Sequence, residues 1–291
     1  MTTIPLDVTV DDLVDEVIST VVGASSGNLA VLTSPVTATD LTLDLDSVSQ
    51  VSRCIVEIDE ELMLVSSVDP GTNTATVFAK GRGYRGTVAA SHDSGSIVSI
   101  APALSRASVL REINNEVVGL YPDLTAPSIE MSVSTDGWVP IPEDAVDVLD
   151  VSVKNGSYWE RLRHWEAWAS APEDVSYSGR AVKCPTLPNA TEVQVTVGLR
   201  PEPFASTTET FESCGLPDSC RPLVVQGVIL RLLPAFDSYR LTMAQVGDSS
   251  QAQLGPASVL AREVKSRRAD LLAREVKALR NLYPARVHFT T

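Results

Sequence analysis

Four segments of the chain carry hydrophobic residues at the spacing of an α-helix. Apolar side chains recur every three or four positions in residues 9–22, 104–118 and 257–282, which predicts three amphipathic helices. Residues 223–233 are apolar on nearly every side, which predicts a helix buried among other elements. Because a short helix does not persist alone in water, we expect the four helices to bury their apolar sides against each other.

Two stretches between these helices have the pattern of β-strands. Residues 29–101 contain six short segments that are rich in β-branched residues and roughly alternate in polarity. Residues 128–212 alternate again, with Asn155 and Gly156 marking a hairpin, while frequent prolines keep the strands short. We therefore expect two small β modules of barrel or sandwich type.

The order of these elements predicts an α+β fold in which two β modules interrupt a helical bundle. The bundle of about four helices would combine residues 1–25, 102–126 and 214–291. A small β module would occupy residues 26–101, and a second, sandwich-like module would occupy residues 127–213.

Composition narrows the classes of function. The chain has 291 residues and a net charge of −14, and such an acidic chain does not suit tight wrapping of nucleic acid. The longest apolar run is too short to span a membrane, and the first residues lack the basic start and apolar core of a secretory leader, so we expect neither. Cys214 and Cys220 lack a metal-ligand spacing, and we expect the four cysteines to be buried or idle thiols in a reducing cytoplasm.

The charges are distributed unevenly between the two ends of the chain. Residues 1–60 contain eleven Asp and Glu against one Arg, whereas residues 255–291 contain eight Lys and Arg against three acids. One interpretation is solvated helix faces; the other is that opposite ends of neighbouring subunits meet, as in a head-to-tail ring. The predicted interface residues are Asp11, Asp12, Asp15 and Glu16 on the acidic side and Arg262, Lys265, Arg268, Arg274 and Lys277 on the basic side.

A glycine-rich loop lies between two predicted strands. Its glycines spell the G-x-G-x-x-G pattern of dinucleotide sites, which functions only where a strand enters it and a helix leaves it. Residues 87–96 are small and polar and have no helical period, so we expect a structural loop and no nucleotide site. The residues assigned to this structural role are Gly81, Arg82, Gly83, Gly86, Thr87, His92 and Gly95.

No set of residues can be given catalytic roles from the sequence. Ser91, His92 and Asp93 are consecutive, and adjacent residues cannot orient one another as a nucleophile, a base and its orienting acid must. We expect His92 to bond the backbone of the glycine loop. We also expect no enzymatic activity, no metal ion and no cofactor.

Aromatic residues cluster in one part of the second β region. The cluster comprises Tyr158, Trp159, Trp165 and Trp168, with Arg161 and Arg163 between them. Such clusters occur where bases or sugars stack, and also in module cores and protein interfaces, where Trp is enriched. The acidic balance favours a core or an interface over nucleic acid, and a carbohydrate-binding role stays open.

The glycine loop also resembles a motif of virion proteins from tailed bacteriophages. The run R-G-x-x-G-T-x-A-x-x-H-x-x-G-x-x-V fits residues 82–98, and a hairpin at 60–68 precedes it. The order of the helices is similar to the helical core of siphophage head-to-tail adaptor proteins, also called head-completion or connector proteins. This similarity includes Tyr121 and Pro122 after the second helix and Tyr283 and Pro284 after the last.

The resemblance implies a ring, typically of twelve subunits, that lies beneath the portal protein and extends the DNA channel towards the tail. The implied partners are the portal, a tail-terminator or neck protein, and further copies of the chain. Double-stranded DNA would pass without specific binding, because an acidic channel repels the duplex. The implied location is the virion neck, after assembly in the host cytoplasm and without a membrane.

We assign portal docking to the C-terminal tail, residues 284–291. This segment is polar and β-prone after the long helix, so it would add to the edge of a sheet. The residues assigned to docking are Pro284, Arg286, Val287, His288 and Phe289. The alternatives to an adaptor are another neck, tail-terminator or baseplate protein, or a carbohydrate-binding adhesin module.

Overall fold

The computed structural model describes residues 8–22, 28–172, 175, 179–246 and 257–289, with side chains in all of these except 235–246 and 257–259. Within them the chain forms fourteen strands in three sheets and four α-helices. The predicted helical bundle with inserted β modules is therefore wrong, because the protein is mostly β. Two hydrophobic clusters of the described residues are built from strand and loop residues, so the sheets bury apolar surface of their own.

The chain divides into two compact units. Unit 1 comprises Met1–Val10, Asn114–Gly227 and Glu263–Thr291, and unit 2 comprises Asp11–Ile113 and Val228–Arg262. The module boundaries predicted from the sequence stay a prediction.

The four helices occur where the hydrophobic period predicted them. They are α1 (Val10–Val22), α2 (Arg106–Gly119), α3 (Arg221–Val246) and α4 (Ala257–Leu282). The third is much longer than the predicted 223–233, since Pro234 lies inside it and does not end it. Among the described residues, no helix combines the length and the apolar character that crossing a bilayer requires.

Unit 2 contains an antiparallel six-stranded sheet. Its strands are β1 (Asn28–Val31), β2 (Thr42–Asp44), β3 (Ile55–Ile58), β4 (Glu61–Asp69), β5 (Thr74–Val77) and β6 (Ile97–Ile100), in the order β1-β6-β3-β4-β5-β2. A bridge between Leu32 and Leu45, just beyond the two edge strands, curls the sheet towards closure. Alternate residues of these strands, such as Val56, Ile58 and Val98, fill the inside of the curl.

Unit 1 contains the other two sheets. Its strands are β7 (Ala126–Val133), β8 (Trp138–Pro140), β9 (Asp147–Asn155), β10 (Tyr158–Arg161), β11 (Glu166–Trp168), β12 (Ala181–Lys183), β13 (Glu192–Leu199) and β14 (Val287–His288). One sheet has the order β10-β9-β13-β7, with β14 also on β9, and the other has the order β11-β12-β8. The predicted hairpin joins β9 to β10, and Gly156 adopts the left-handed φ of +64° that its turn requires.

The last described residues of the chain belong to the core of unit 1. Val287 in β14 lies opposite Val148 in β9, and the amide of Phe289 donates a hydrogen bond to the carbonyl of Val146 at 3.0 Å. The ring of Phe289 is buried in a cluster that includes Val148 and Val195. The tail thus adds a strand to the chain's own sheet.

We expect Phe289→Ala to lower the free energy of unfolding of unit 1 by about 3 kcal/mol, because it removes a buried ring and leaves a cavity. Val287→Ala is the matched control: this neighbouring side chain is exposed, so its truncation should cost less than about 0.5 kcal/mol. Urea unfolding followed by tryptophan fluorescence measures both, since all four tryptophans lie in unit 1. Equal losses in the two variants would show that Phe289 is not part of the core.

Candidate functional site

The glycine loop wraps around one buried carboxylate, that of Glu61 at the start of β4. Its Oε1 accepts hydrogen bonds from Arg82 Nε at 2.7 Å and from the amide of Gly83 at 2.9 Å. Its Oε2 accepts from Arg82 Nη2 at 2.8 Å and from the amide of Ala90 at 2.9 Å, and it lies 2.9 Å from His92 Nε2. We call these five residues the Glu61 hub.

Arg82 connects the hub to a second loop. Its Nη1 donates to the carbonyls of Thr37 and Asp40 at 2.6 and 2.7 Å, and its Nη2 also donates to the carbonyl of Ala90 at 2.5 Å. Together with the two bonds to Glu61, these contacts use all five N–H donors of the guanidinium. The side chain is nearly buried, so a missing acceptor would leave a desolvated donor.

His92 bridges two carboxylates. Its Nε2 faces Glu61, and its Nδ1 lies 2.7 Å from Oδ2 of Asp59 in the turn between β3 and β4. Only a doubly protonated ring can donate to both acids. The expected bond between the ring and the loop backbone is therefore replaced by bonds to acids, while the backbone of His92 pairs with that of Val36.

The glycines allow the loop to approach β4 closely. Gly83 has a φ of +59°, and a Cβ there would lie 2.8 Å from the carbonyl oxygen of Thr87. A Cβ on Gly81 would lie 2.7 Å from the carbonyl oxygen of Leu64. Thr87 completes the contact, because its Oγ1 accepts a hydrogen bond from the amide of Leu62. Gly86 and Gly95 also have positive φ, but each faces open space.

The geometry of the loop does not suit a dinucleotide. A single 3₁₀ turn, Tyr84–Gly86, lies where the G-x-G-x-x-G pattern requires a long helix. The amides of Gly83 and Ala90 already donate to Glu61, so they do not offer a phosphate site. The polar groups of the loop are instead used to bind Glu61 of β4.

Two buried carboxyl groups of unit 2 have pKa values shifted in opposite directions. Burial raises the pKa of Glu57 to about 7, although the amide of Ala107 and the nearby Arg106 act against it. Burial also tends to raise the pKa of Glu61, but hydrogen bonds, above all those from Arg82, outweigh burial and lower the pKa to about 2. Glu61 is therefore ionised at neutral pH, whereas Glu57 loses its proton only as the pH rises through about 7.

Arg286 and His288, both assigned to portal docking, contact another buried acid, Asp147 in β9. Arg286 donates to Oδ2 of Asp147 from Nε at 3.0 Å and from Nη2 at 2.7 Å. His288 Nδ1 lies 2.6 Å from Oδ1 of the same carboxylate. Pro284 and Val287 are exposed. The docking assignment stays a prediction, and its last two residues, 290 and 291, lie outside the described part of the chain.

Several of the charged residues assigned to subunit contacts have ion pairs within their own unit. Asp11 and Asp15 both pair with Arg106 in unit 2. In unit 1, Arg268 pairs with the buried Glu116 and Arg274 with Glu275. Exposed positions are occupied by Asp12, Glu16, Arg262, Lys265 and Lys277. The interface assignment stays a prediction, but its internally paired members are less available to a neighbour.

The aromatic cluster is divided among different environments. Trp165 packs against the core of unit 1, while Tyr158 and Trp159 lie exposed on β10. Trp168 meets Trp138 edge to face, with ring centroids 5.4 Å apart, and Lys183 lies over the Trp138 ring at 4.4 Å. The sugar-binding role stays a prediction.

Two features were missed by the sequence reasoning. The hairpin predicted at 60–68 did not reveal a partner for Glu61, although this first residue of β4 and Arg82 of the glycine loop form a buried ion pair. A groove of about 530 Å³ in unit 1 had no sequence signal, since Pro127, Leu216 and Leu279 reach it from separate parts of the chain.

Comparison with known proteins assigns the chain to no family. No family model matches the sequence, and no curated protein matches it. The resemblance to phage virion proteins therefore stays a prediction from the residues of the glycine loop and the order of the helices.

We expect Glu57→Gln to remove a pH dependence from the stability of unit 2. A carboxyl group whose pKa rises from 4.5 to about 7 on folding contributes stability below pH 4.5 that is lost as pH rises through 7. The loss amounts to about 3 kcal/mol. The neutral side chain of the glutamine can still accept the hydrogen bond from the amide of Ala107, but it does not titrate.

Amide hydrogen exchange in β3 and β4, measured near pH 5 and near pH 8 and corrected for intrinsic rates, tests this prediction. Glu61 does not interfere, since its lowered pKa gives stability that is present above pH 4.5 and lost only as pH falls towards 2. A variant with the same pH dependence as the native protein would contradict the prediction.

Proposed function

We propose that this protein is a structural component of a tailed-bacteriophage virion, where copies of it form a ring between the portal and the tail. The observation that supports this most is the Glu61 hub. The residues that resemble the virion motif, among them Arg82, Gly83 and His92, bond to Glu61 of their own unit. Their role is to hold a surface loop in one shape, and a subunit that must fit its neighbours repeatedly requires fixed surfaces.

The fold changes how such a ring would be built. Because the chain is mostly β and has no helical-bundle core, the surfaces available for assembly include sheet edges and exposed strand faces as well as helices. The similarity in helix order supports the adaptor position less strongly than a shared fold would. Another neck, tail-terminator or baseplate position is therefore the second candidate, and the shared glycine loop is what favours it.

The charge distribution supports lateral contacts between unlike ends of neighbouring copies. Exposed acids in α1, such as Asp12 and Glu16, and exposed bases in α4, such as Lys265 and Lys277, carry opposite charge. Contacts of this kind guide association but add little affinity individually, and salt screens them. The remaining acidic charge of the chain suits a channel through which DNA moves without binding.

Electron microscopy of this protein mixed with the portal of the same genome tests the proposal. We expect rings of this protein stacked on the portal, because the adaptor position requires both contacts. Lys265→Glu should reduce ring formation by placing like charges at the contact. Lys80→Glu, an equal charge reversal at an exposed site of unit 2, should not.

Two results would count against the proposal. A portal that binds another protein of the genome but not this one would exclude the adaptor position. Rings on the tail-terminator or baseplate protein would then favour the second candidate. A ring with a basic lumen would contradict the acidic channel.

A further inference from the structure

Among the described residues, one edge of the larger sheet in unit 1 is open. Strand β7 pairs with β13 along all eight of its residues, and no strand lies on its other side within the described chain. Edge strands of this length invite pairing with another chain, and proteins usually protect them with charges, bulges or a covering element.

Strand β7 presents an exposed apolar row on one face. Ile129, Met131 and Val133 are 61%, 59% and 51% exposed. Strand side chains alternate between the two faces, so these three share one face, on which they neighbour the more polar Gln194 and Thr196 of β13. We call them the β7 row.

The backbone groups of the same residues point outwards from the sheet. The amide of Ser134 bonds to the carbonyl of Thr191, one step beyond the β7–β13 ladder. In an antiparallel ladder such bonds recur at every second residue, so the amides of Ile129, Met131 and Val133 point away from β13. Pro127, which has no amide hydrogen, occupies the next outward position, as prolines in edge strands do.

The sequence of the strand is nearly symmetric about Met131. Glu130 and Ser132 flank it, Ile129 and Val133 come next, and Ser128 and Ser134 follow. An antiparallel pair centred on Met131 therefore places apolar side chains opposite apolar ones and the acid opposite a serine. A register centred on Glu130 would instead oppose two carboxylates.

We propose that β7 pairs antiparallel with β7 of a second copy of this chain, about a two-fold axis at Met131. Ile129 of each copy then lies opposite Val133 of the other, and the outward amides of the β7 row bond across the axis. A two-fold contact requires one patch that is complementary to itself, which is the property of this strand.

The opposite edge of the same sheet suits β7 less well. Strand β10 has only four residues, and its Glu160 shares the side of the sheet on which Glu130 lies. If β7 of one copy paired with β10 of the next, Glu130 and Glu160 would lie on the same side of the extended sheet, so like charges would be close together. The two-fold contact does not by itself close a ring, so it is independent of the proposed function.

Sedimentation equilibrium of the full chain over a wide range of concentrations tests the contact. We expect a reversible dimer, because one pair of strands buries less surface than a stable interface does. Met131→Lys should raise the dimer dissociation constant at least about tenfold, because it brings two cations together at the axis. Ile97→Lys is the matched control at an equally exposed apolar residue of unit 2, and it should leave the dimer intact.

A charge exchange makes the test specific to the axis. A mixture of Met131→Lys and Met131→Glu chains should form mixed dimers, since the lysine of one copy then faces the glutamate of the other. Tryptophan fluorescence verifies that each variant is folded. A native protein that stays monomeric at every concentration, a dimer that survives Met131→Lys, or a mixture that fails to associate overturns the proposal. Larger assemblies that are unaffected by Met131→Lys would overturn it while leaving the proposed ring intact.

Discussion

The ion pair between Glu61 and Arg82 is the constraint on which the glycine loop depends. Placing a carboxylate among buried strands costs several kcal/mol unless hydrogen bonds and an opposite charge compensate. Here the guanidinium, two backbone amides and an imidazole surround both carboxylate oxygens. Because each donor comes from a different point between Arg82 and His92, the loop cannot shift without losing several bonds at once. Gly83 provides the close approach that this arrangement needs.

Unit 1 contains a similar arrangement, in which an arginine and a histidine contact a buried acid. Arg286 and His288 contact the buried carboxylate of Asp147 in the same way that Arg82 and His92 contact that of Glu61. In each unit an acid in or beside a strand fixes a segment that is distant in sequence, the glycine loop in one case and the C-terminal tail in the other. Breaking either pair would leave a charge in the core, so it is costly to move either segment away from its acid.

The local elements could be predicted from the sequence, but their assembly could not. Alternating polarity located the strands of unit 2, and the helical period located all four helices. The helical bundle was wrong because periodicity shows that an element has an apolar side without showing what covers it. Partners far apart in sequence were equally hidden: Asp147 resembles any acid at the start of a strand, and only the fold brings Arg286 to it. The open edge at β7 was hidden for the same reason, since an alternating pattern does not tell which strands lie at an edge.

Hydrogen exchange of the glycine loop in Glu61→Gln tests the central claim most directly. The amide replacement keeps the shape of the side chain but removes the negative charge that compensates Arg82. We expect the amides of Gly83 and Ala90 to lose protection and the opening free energy of the loop to fall by about 3 to 5 kcal/mol, while β14 in unit 1 is unchanged. Unchanged protection at Gly83 and Ala90 would contradict the account, because the loop would then hold its shape without the Glu61 carboxylate.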